Sequence, residues 1–147
     1  MNRKEIIEQL KQYFKLSELV CPHILQRFGD TAWMFLSTQI LHTLLILRTE
    51  ILNKPLIINT SSSSQRGMRC NICPMVKTKT TVYESAHCNG MGVDITVDGM
   101  SAEDARNLIK EKQDKLPYPV RLEEDVTWLH IDCYDPCNNK KINTFKA

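Results

Sequence analysis

Ile6, Ile7, Leu10, Tyr13 and Phe14 recur at the three- and four-residue spacing of an amphipathic helix, which this pattern predicts over residues 4–14. Ser17 can cap a short turn after it, and Cys21-Pro22 is expected to end that turn, because proline disfavours helix in the residue before it. The strongest periodicity follows. Trp33, Leu36, Ile40, Leu44, Leu47 and Ile51 predict one long helix, capped by Asp30 and closed by Asn53 and Pro55. Leu56-Ile57-Ile58 is a short β-branched run and reads as a buried strand. From Ser61 to Pro74 nothing is periodic, and the segment reads as a polar loop.

Gly92 to Val97 alternates polar and apolar residues, the mark of a strand with one covered face. Ser101-Ala102-Glu103-Asp104 resembles a capping box opening a helix whose inner side carries Ala105, Leu108 and Ile109. Two further strands are expected near Val120–Leu122 and Thr127–Cys133, and residues 138–147 read as a polar tail. The sum is an α+β fold: N-terminal helices packed on a small, mainly antiparallel sheet with a helix inserted. Residues 1–137 are expected to form a single domain.

Composition narrows the function. With 42% hydrophobic and 24% charged residues over 147 positions, the chain can bury one core and is not a disordered segment. A net charge of +2, with no segment concentrating Lys and Arg, leaves no nucleic-acid footprint. The N-terminus leads into an amphipathic pattern, and no apolar run approaches the roughly 18–20 residues that span a bilayer. A monomer without a membrane span, made in the cytoplasm of its producing cell, is therefore expected. Six cysteines are many for a compartment that keeps thiols reduced, so some bind metal or the protein works in an oxidising place.

Two short segments carry the candidate chemistry. In Ser85-Ala86-His87-Cys88-Asn89-Gly90-Met91-Gly92-Val93-Asp94, His87 sits at the end of a loop, and Asp94 is a carboxylate in an otherwise apolar strand. Burying that charge is costly unless it is paired or bound to a metal. The two-residue strand period puts Gly92, Asp94 and Thr96 on one face; in Trp128-Leu129-His130-Ile131-Asp132 it groups Trp128, His130 and Asp132. If these strands pair, Asp94 and His130 converge and His87 arrives from the loop. Two imidazoles and one carboxylate form an open zinc site of the catalytic kind; the competing reading is a hydrogen-bonded Asp–His pair at a strand edge. His42, inside the long helix, reads as a polar or half-buried helix residue, and His23, in a turn, as a loop residue.

The segment from Ser85 to Asp94 resembles the Ser-x-His-x-x-Gly-x-Ala-x-Asp signature of the zinc D-Ala-D-Ala peptidases, and Trp128-Leu129-His130 resembles their Trp-x-His. Over residues 12–133 the chain resembles the phage-associated group of that family, through Phe14-Lys15-Leu16-Ser17-Glu18-Leu19, the Ile40–Pro55 helix and the loop Ser63-Ser64-Gln65-Arg66 followed by Asn71. The resemblance implies the zinc fold shared by these peptidases and hedgehog domains, with Zn2+ held by His87, Asp94 and His130. It implies Glu124 as general base, flanked by Glu123 and Asp125, and Arg66 as a substrate-binding arginine. The implied substrate is a peptidoglycan stem peptide, cut as a carboxypeptidase or endopeptidase. With no visible signal peptide, a phage lysin acting on the wall after release, or a virion-associated protein, is expected. The alternative is a non-catalytic zinc-containing wall-binding or virion structural protein. Gly92 stands where the family carries alanine, and Ser64-Gln65 replaces Gly-Tyr.

The remaining cysteines leave three readings open. Cys70-x-x-Cys73 and Cys133-x-x-x-Cys137 can together hold a second zinc, form disulfides, or remain buried thiols. Cys88 reads as a packing residue. Asp132 is either a group that steadies a ligand or a surface aspartate.

Overall fold

A computed structural model describes all 147 residues. Helix α1 (Arg3–Leu10) begins with a reciprocal cap: the Asn2 side chain accepts from the Glu5 N–H at 3.0 Å, and the Asn2 N–H donates to the Glu5 carboxylate at 2.7 Å. Ile6 and Leu10 are buried on its inner face. Arg3 then ties α1 to the next layer, donating to the carbonyls of Trp33 and Leu36 and to Thr38 Oγ1.

Helix α2 (Pro22–Phe28) starts where the sequence pattern ends a turn. Proline is well tolerated at the first helical position, whose N–H has no intrahelical partner anyway, so Cys21-Pro22 opens an element here. The long helix is also shorter than its periodicity predicts. Gly29–Phe35 is 3-10 helical, and α3 (Thr38–Ile46) is capped by Ser37, whose Oγ accepts from the Ile40 N–H at 3.1 Å. Asp30 caps nothing in α3. The helix widens into a π-helical turn over Leu47–Ile51 before Asn53, which takes a left-handed φ of 51°.

Five strands form one sheet in the order β1-β2-β4-β3-β5: β1 (Leu56–Ile57), β2 (Gly92–Val97), β3 (Val120–Glu123), β4 (Leu129–Asp132) and β5 (Ile142–Phe145). Helix α4 (Pro74–Lys77) is a single turn in the loop before β2, and α5 (Ala102–Glu111) crosses from β2 to β3. Ser101 caps α5 at the Asp104 N–H, and Ala105 and Ile109 are buried beneath it. The β1–β2, β2–β4 and β4–β3 pairs are antiparallel, while β5 runs parallel to β3. Residues 138–147, read from sequence as a polar tail, therefore supply the edge strand. Their mixed composition hid it, because an edge strand is covered on few sides and needs little apolar patterning.

Val93, Ile95, Leu129, Ile131, Val120 and Leu122 point from the sheet into the apolar layer under α3 and α5, and all are buried. The opposite face of β2, β4 and β3 carries Asp94, His130, Asp132, Arg121 and Glu123. No helix is long and apolar enough to cross a membrane.

Candidate metal centre

Strand register decides the centre of this face. Asp94 on β2 lies directly opposite His130 on β4, and Gly92 lies opposite Asp132. A Cβ at Gly92 would stand 2.8 Å from the Ala86 Cβ and 3.0 Å from the Asp132 Cβ, so glycine here lets the His87 turn close onto the strand. His87 is delivered by that turn. Its Nδ1 donates to the Gly67 carbonyl at 2.9 Å, and Gly67 itself is packed so tightly that a Cβ would come 2.3 Å from the Leu19 carbonyl oxygen.

His87, Asp94 and His130 offer ligand atoms that all lie within 4.8 Å of one another. His87 Nε2 is 3.3 Å from one Asp94 oxygen, and His130 Nδ1 is 2.8 Å from the other. A carbonyl can only accept, so Nδ1 of His87 carries its proton. Unless Nε2 also carries a proton, His87 turns a bare lone pair toward the Asp94 carboxylate. Two acceptors at that distance fit only with a proton or a cation between them. The donor set thus suits a metal, and two histidines with one aspartate leave further positions open for a water or substrate atom.

Behind His130 stands a second carboxylate. Asp132 is fully buried; it accepts from His130 Nε2 at 2.7 Å and takes both Nε and Nη2 of Arg121 at 2.9 Å. This fixes the ring so that Nδ1 faces Asp94, the usual outer-shell arrangement of a metal-binding histidine. Burial disfavours a charged His130, but the hydrogen bond to Asp132 and then that to Asp94 outweigh it and hold the ring at about 9. Burial likewise opposes the Asp94 charge, yet the hydrogen bonds with His130 and His87 push Asp94 well below the usual carboxylate range. Asp132 is thus no surface aspartate: it is buried between His130 and Arg121.

The centre lies in a cleft of about 410 Å³ whose wall includes Arg69, Tyr83, Glu123, Trp128 and Phe145. A second hollow of about 580 Å³ adjoins it and shares Arg69, Met75, Asp94 and Trp128. Glu123, 8% exposed, faces the first cleft, because it shares the strand face of Arg121. Glu124 does not reach it. The chain leaves β3 after Glu123, and the Glu124 carboxylate instead meets Lys110 Nζ at 2.8 Å and Arg106 Nε at 3.7 Å. Asp125 is exposed in the turn at a φ of 61° and pairs with Lys146.

The Arg66 carbonyl accepts from the Asp94 N–H at 2.8 Å, but its side chain is engaged elsewhere. Its guanidinium donates to Thr96 Oγ1 at 2.9 Å and to the Ile58 carbonyl, and it lines the second hollow. The arginine at the cluster is Arg69, buried, with Nη2 3.5 Å from Asp94 and Nε donating to the Gln65 carbonyl. Only the folded loop separates the two arginines, since both lie in one aperiodic segment.

A second group of ligand atoms within 4.8 Å of one another comprises Cys21, His23, Cys70 and Cys73. Such a Cys3His group can hold a metal such as zinc. Cys133 and Cys137 take no part: Cys133 is buried against Thr43 and Cys137 is exposed. All six cysteines are free thiols. Cys21-x-His23 escaped the sequence reading because its partners lie about fifty residues away. Searches of family models, curated proteins and solved structures give no match to this chain.

Proposed function

We propose that this chain is a zinc peptidase that cuts peptidoglycan stem peptides within the chain. The observation that carries the reading is the convergence of His87 Nε2, Asp94 and His130 Nδ1 at the floor of a cleft walled by an unpaired carboxylate, Glu123. The resemblance of Ser85–Asp94 and Trp128–His130 to the zinc D-Ala-D-Ala peptidases supplies the substrate class and the hedgehog/DD-peptidase-like fold expectation. The α+β layout, with its zinc-competent group on the exposed face of the sheet, is compatible with both.

His87, Asp94 and His130 would hold the metal, and Asp132 with Arg121 would keep the His130 ring in its ligating orientation. Zinc, when bound, supplies a Lewis acid for a carbonyl oxygen and acidifies a water. Glu123 is the group placed to take the proton of an attacking water and return it to the leaving amine. Its place on the wall of the cleft favours it over Glu124, which is committed to Lys110 and Arg106. The Arg69 guanidinium, a fixed planar donor beside Asp94, suits a developing oxyanion or a peptide carbonyl. Arg66 in the adjoining hollow suits a carboxylate farther along the substrate. Hollows on both sides of Asp94 accommodate a peptide running past the cut, which favours an endopeptidase over a trimming carboxypeptidase.

The test is mass spectrometry of muropeptides incubated with zinc-loaded protein, a chelated control, and the Glu123→Gln and Glu124→Gln variants. A cut inside the stem that requires zinc, is retained within a few-fold in Glu124→Gln and falls by about 100-fold or more in Glu123→Gln is expected. Absence of any zinc-dependent product on all stem types would sink the peptidase reading in favour of a non-catalytic wall-binding role. Release of a terminal alanine alone would replace the endopeptidase assignment.

A further inference from the structure

The second cluster lies away from the peptidase cleft, on the other side of the loop that carries Arg66, Arg69 and His87. Cys21 immediately precedes α2, and its backbone N–H donates to the Met68 carbonyl at 2.9 Å. Met68 in turn donates to the Leu19 carbonyl at 2.8 Å, so the loop is laid along the chain that leads into α2. This apposition brings His23, in the first turn of α2, against Cys70 and Cys73. Between the two cysteines the chain makes a tight turn, with the Cys73 N–H donating to the Cys70 carbonyl at 3.2 Å, and Pro74 opens α4 just beyond.

Distances within the cluster are those of ligands around one ion. Cys70 Sγ and Cys73 Sγ are 3.7 Å apart, and His23 Nδ1 is 3.4 Å from Cys70 Sγ and 3.6 Å from Cys73 Sγ. Tetrahedral zinc, with Zn–S of about 2.3 Å and Zn–N of about 2.0–2.1 Å, places two sulfurs ~3.8 Å apart and a sulfur and a nitrogen ~3.6 Å apart. A disulfide would need its sulfurs at ~2.0 Å and would leave Cys21 and His23 without a shared purpose. Cys21 and Cys73 are buried, and no carboxylate joins the four. Three thiolates and one imidazole form a soft, closed donor set that fits zinc and leaves no open position for a substrate.

We propose that Cys21, His23, Cys70 and Cys73 bind a structural zinc ion that clamps the loop of residues 58–91 to the start of α2. That loop holds one helical turn and takes part in two isolated bridges, and long segments with so little regular structure need an added tie. The same loop positions Arg66, Arg69 and His87, so the clamp supports the face on which the cleft lies. The proposal stands on the thiol cluster alone and does not depend on peptidase activity.

Elemental analysis and native mass spectrometry of the full chain, purified under reducing conditions, should find zinc that persists in a His87→Ala/His130→Ala variant and is lost from Cys73→Ser. Cobalt substitution of the double histidine variant should give the thiolate-to-metal charge-transfer absorption and the intense visible bands of a tetrahedral thiolate site. Cys73→Ser should also speed limited proteolysis within residues 71–88 by about tenfold or more, an opening of about 1.4 kcal/mol. Should Cys73→Ser fail to fold, a thiol-specific mercurial added to the wild-type chain should release this zinc to a chromophoric chelator. A Cys70–Cys73 disulfide in peptide maps, iron in place of zinc, or a cobalt protein without thiolate charge transfer would overturn the assignment.

Discussion

Replacing Asp132 by asparagine separates a metal centre from a hydrogen-bonded Asp–His pair at the sheet surface. Asp132 is fully buried, accepts from His130 Nε2 at 2.7 Å and is held by both arms of Arg121. The side chain of Arg121 is 28% exposed, so it stays solvated when the carboxylate is neutralised and the fold is expected to survive. In the metal-free chain His130 is raised from 6.5 to about 9. At 1.36 kcal/mol per pH unit this amounts to about 3 kcal/mol favouring the protonated ring. Because the folded pKa is the higher one, that stabilisation is complete below pH 6.5 and disappears as pH rises through about 9.

Zinc must displace the same proton, since Nδ1 ligates only as a free base. In the wild type the affinity at His87, Asp94 and His130 should therefore climb by nearly tenfold per pH unit up to about pH 9. Asparagine removes the charge that holds the ring. It should lower zinc affinity at high pH by roughly 10–100-fold, about 1.4–2.7 kcal/mol, and flatten the climb above about pH 7. Competition titration against a chromophoric chelator from pH 6 to 9 reads both effects, with a His87→Ala counterpart of each protein isolating this centre from the thiol cluster. Unchanged affinity with an unchanged pH slope would refute the role given to Asp132.

Two other perturbations test how the centre is supported. Arg106, 3% exposed, donates from α5 to the carbonyls of Glu123, Val126 and Trp128 and lies beside Glu124. Arg106→Leu strands those carbonyl acceptors, while Glu124 keeps its pair with Lys110, and urea unfolding should show a loss of about 3–5 kcal/mol; a loss below about 1 kcal/mol would mean the β3–β4 turn is held otherwise. Phe145 on β5 meets His130 edge-on at 5.7 Å and lies 4.4 Å under the Arg121 guanidinium. Phe145→Ala should cost about 1–2 kcal/mol in the same assay, where a dangling tail would give no change.

Alternation along Gly92–Val97 and Trp128–Asp132 was enough to group Asp94 with Gly92 and Thr96, and His130 with Trp128 and Asp132, because side-chain direction in a strand follows position alone. The register that sets them opposite one another needed the folded sheet. Glu123 and Glu124 show the same division. Both were legible as acidic residues ahead of His130, but the point where the chain leaves β3 decides which carboxylate faces the cleft. Arg66 and Arg69 belong to an aperiodic loop, where sequence carries no rule for direction, and only the folded loop sets Arg69 against Asp94 and Arg66 against Thr96.

By itself the sequence determined the helix of residues 4–14 to within a few residues, the start of the helix after Ser101, the core strands, and the kinds of donor atoms that can meet a metal. Those follow from local periodicity and side-chain chemistry, which neighbours in the chain report directly. The parallel strand at residues 142–145, the Asp132–Arg121 support behind His130, and the grouping of Cys21 and His23 with Cys70 and Cys73 were decided only by the tertiary structure. Each joins residues far apart in the chain, or in a segment without periodicity, and such encounters are fixed by packing of the whole core.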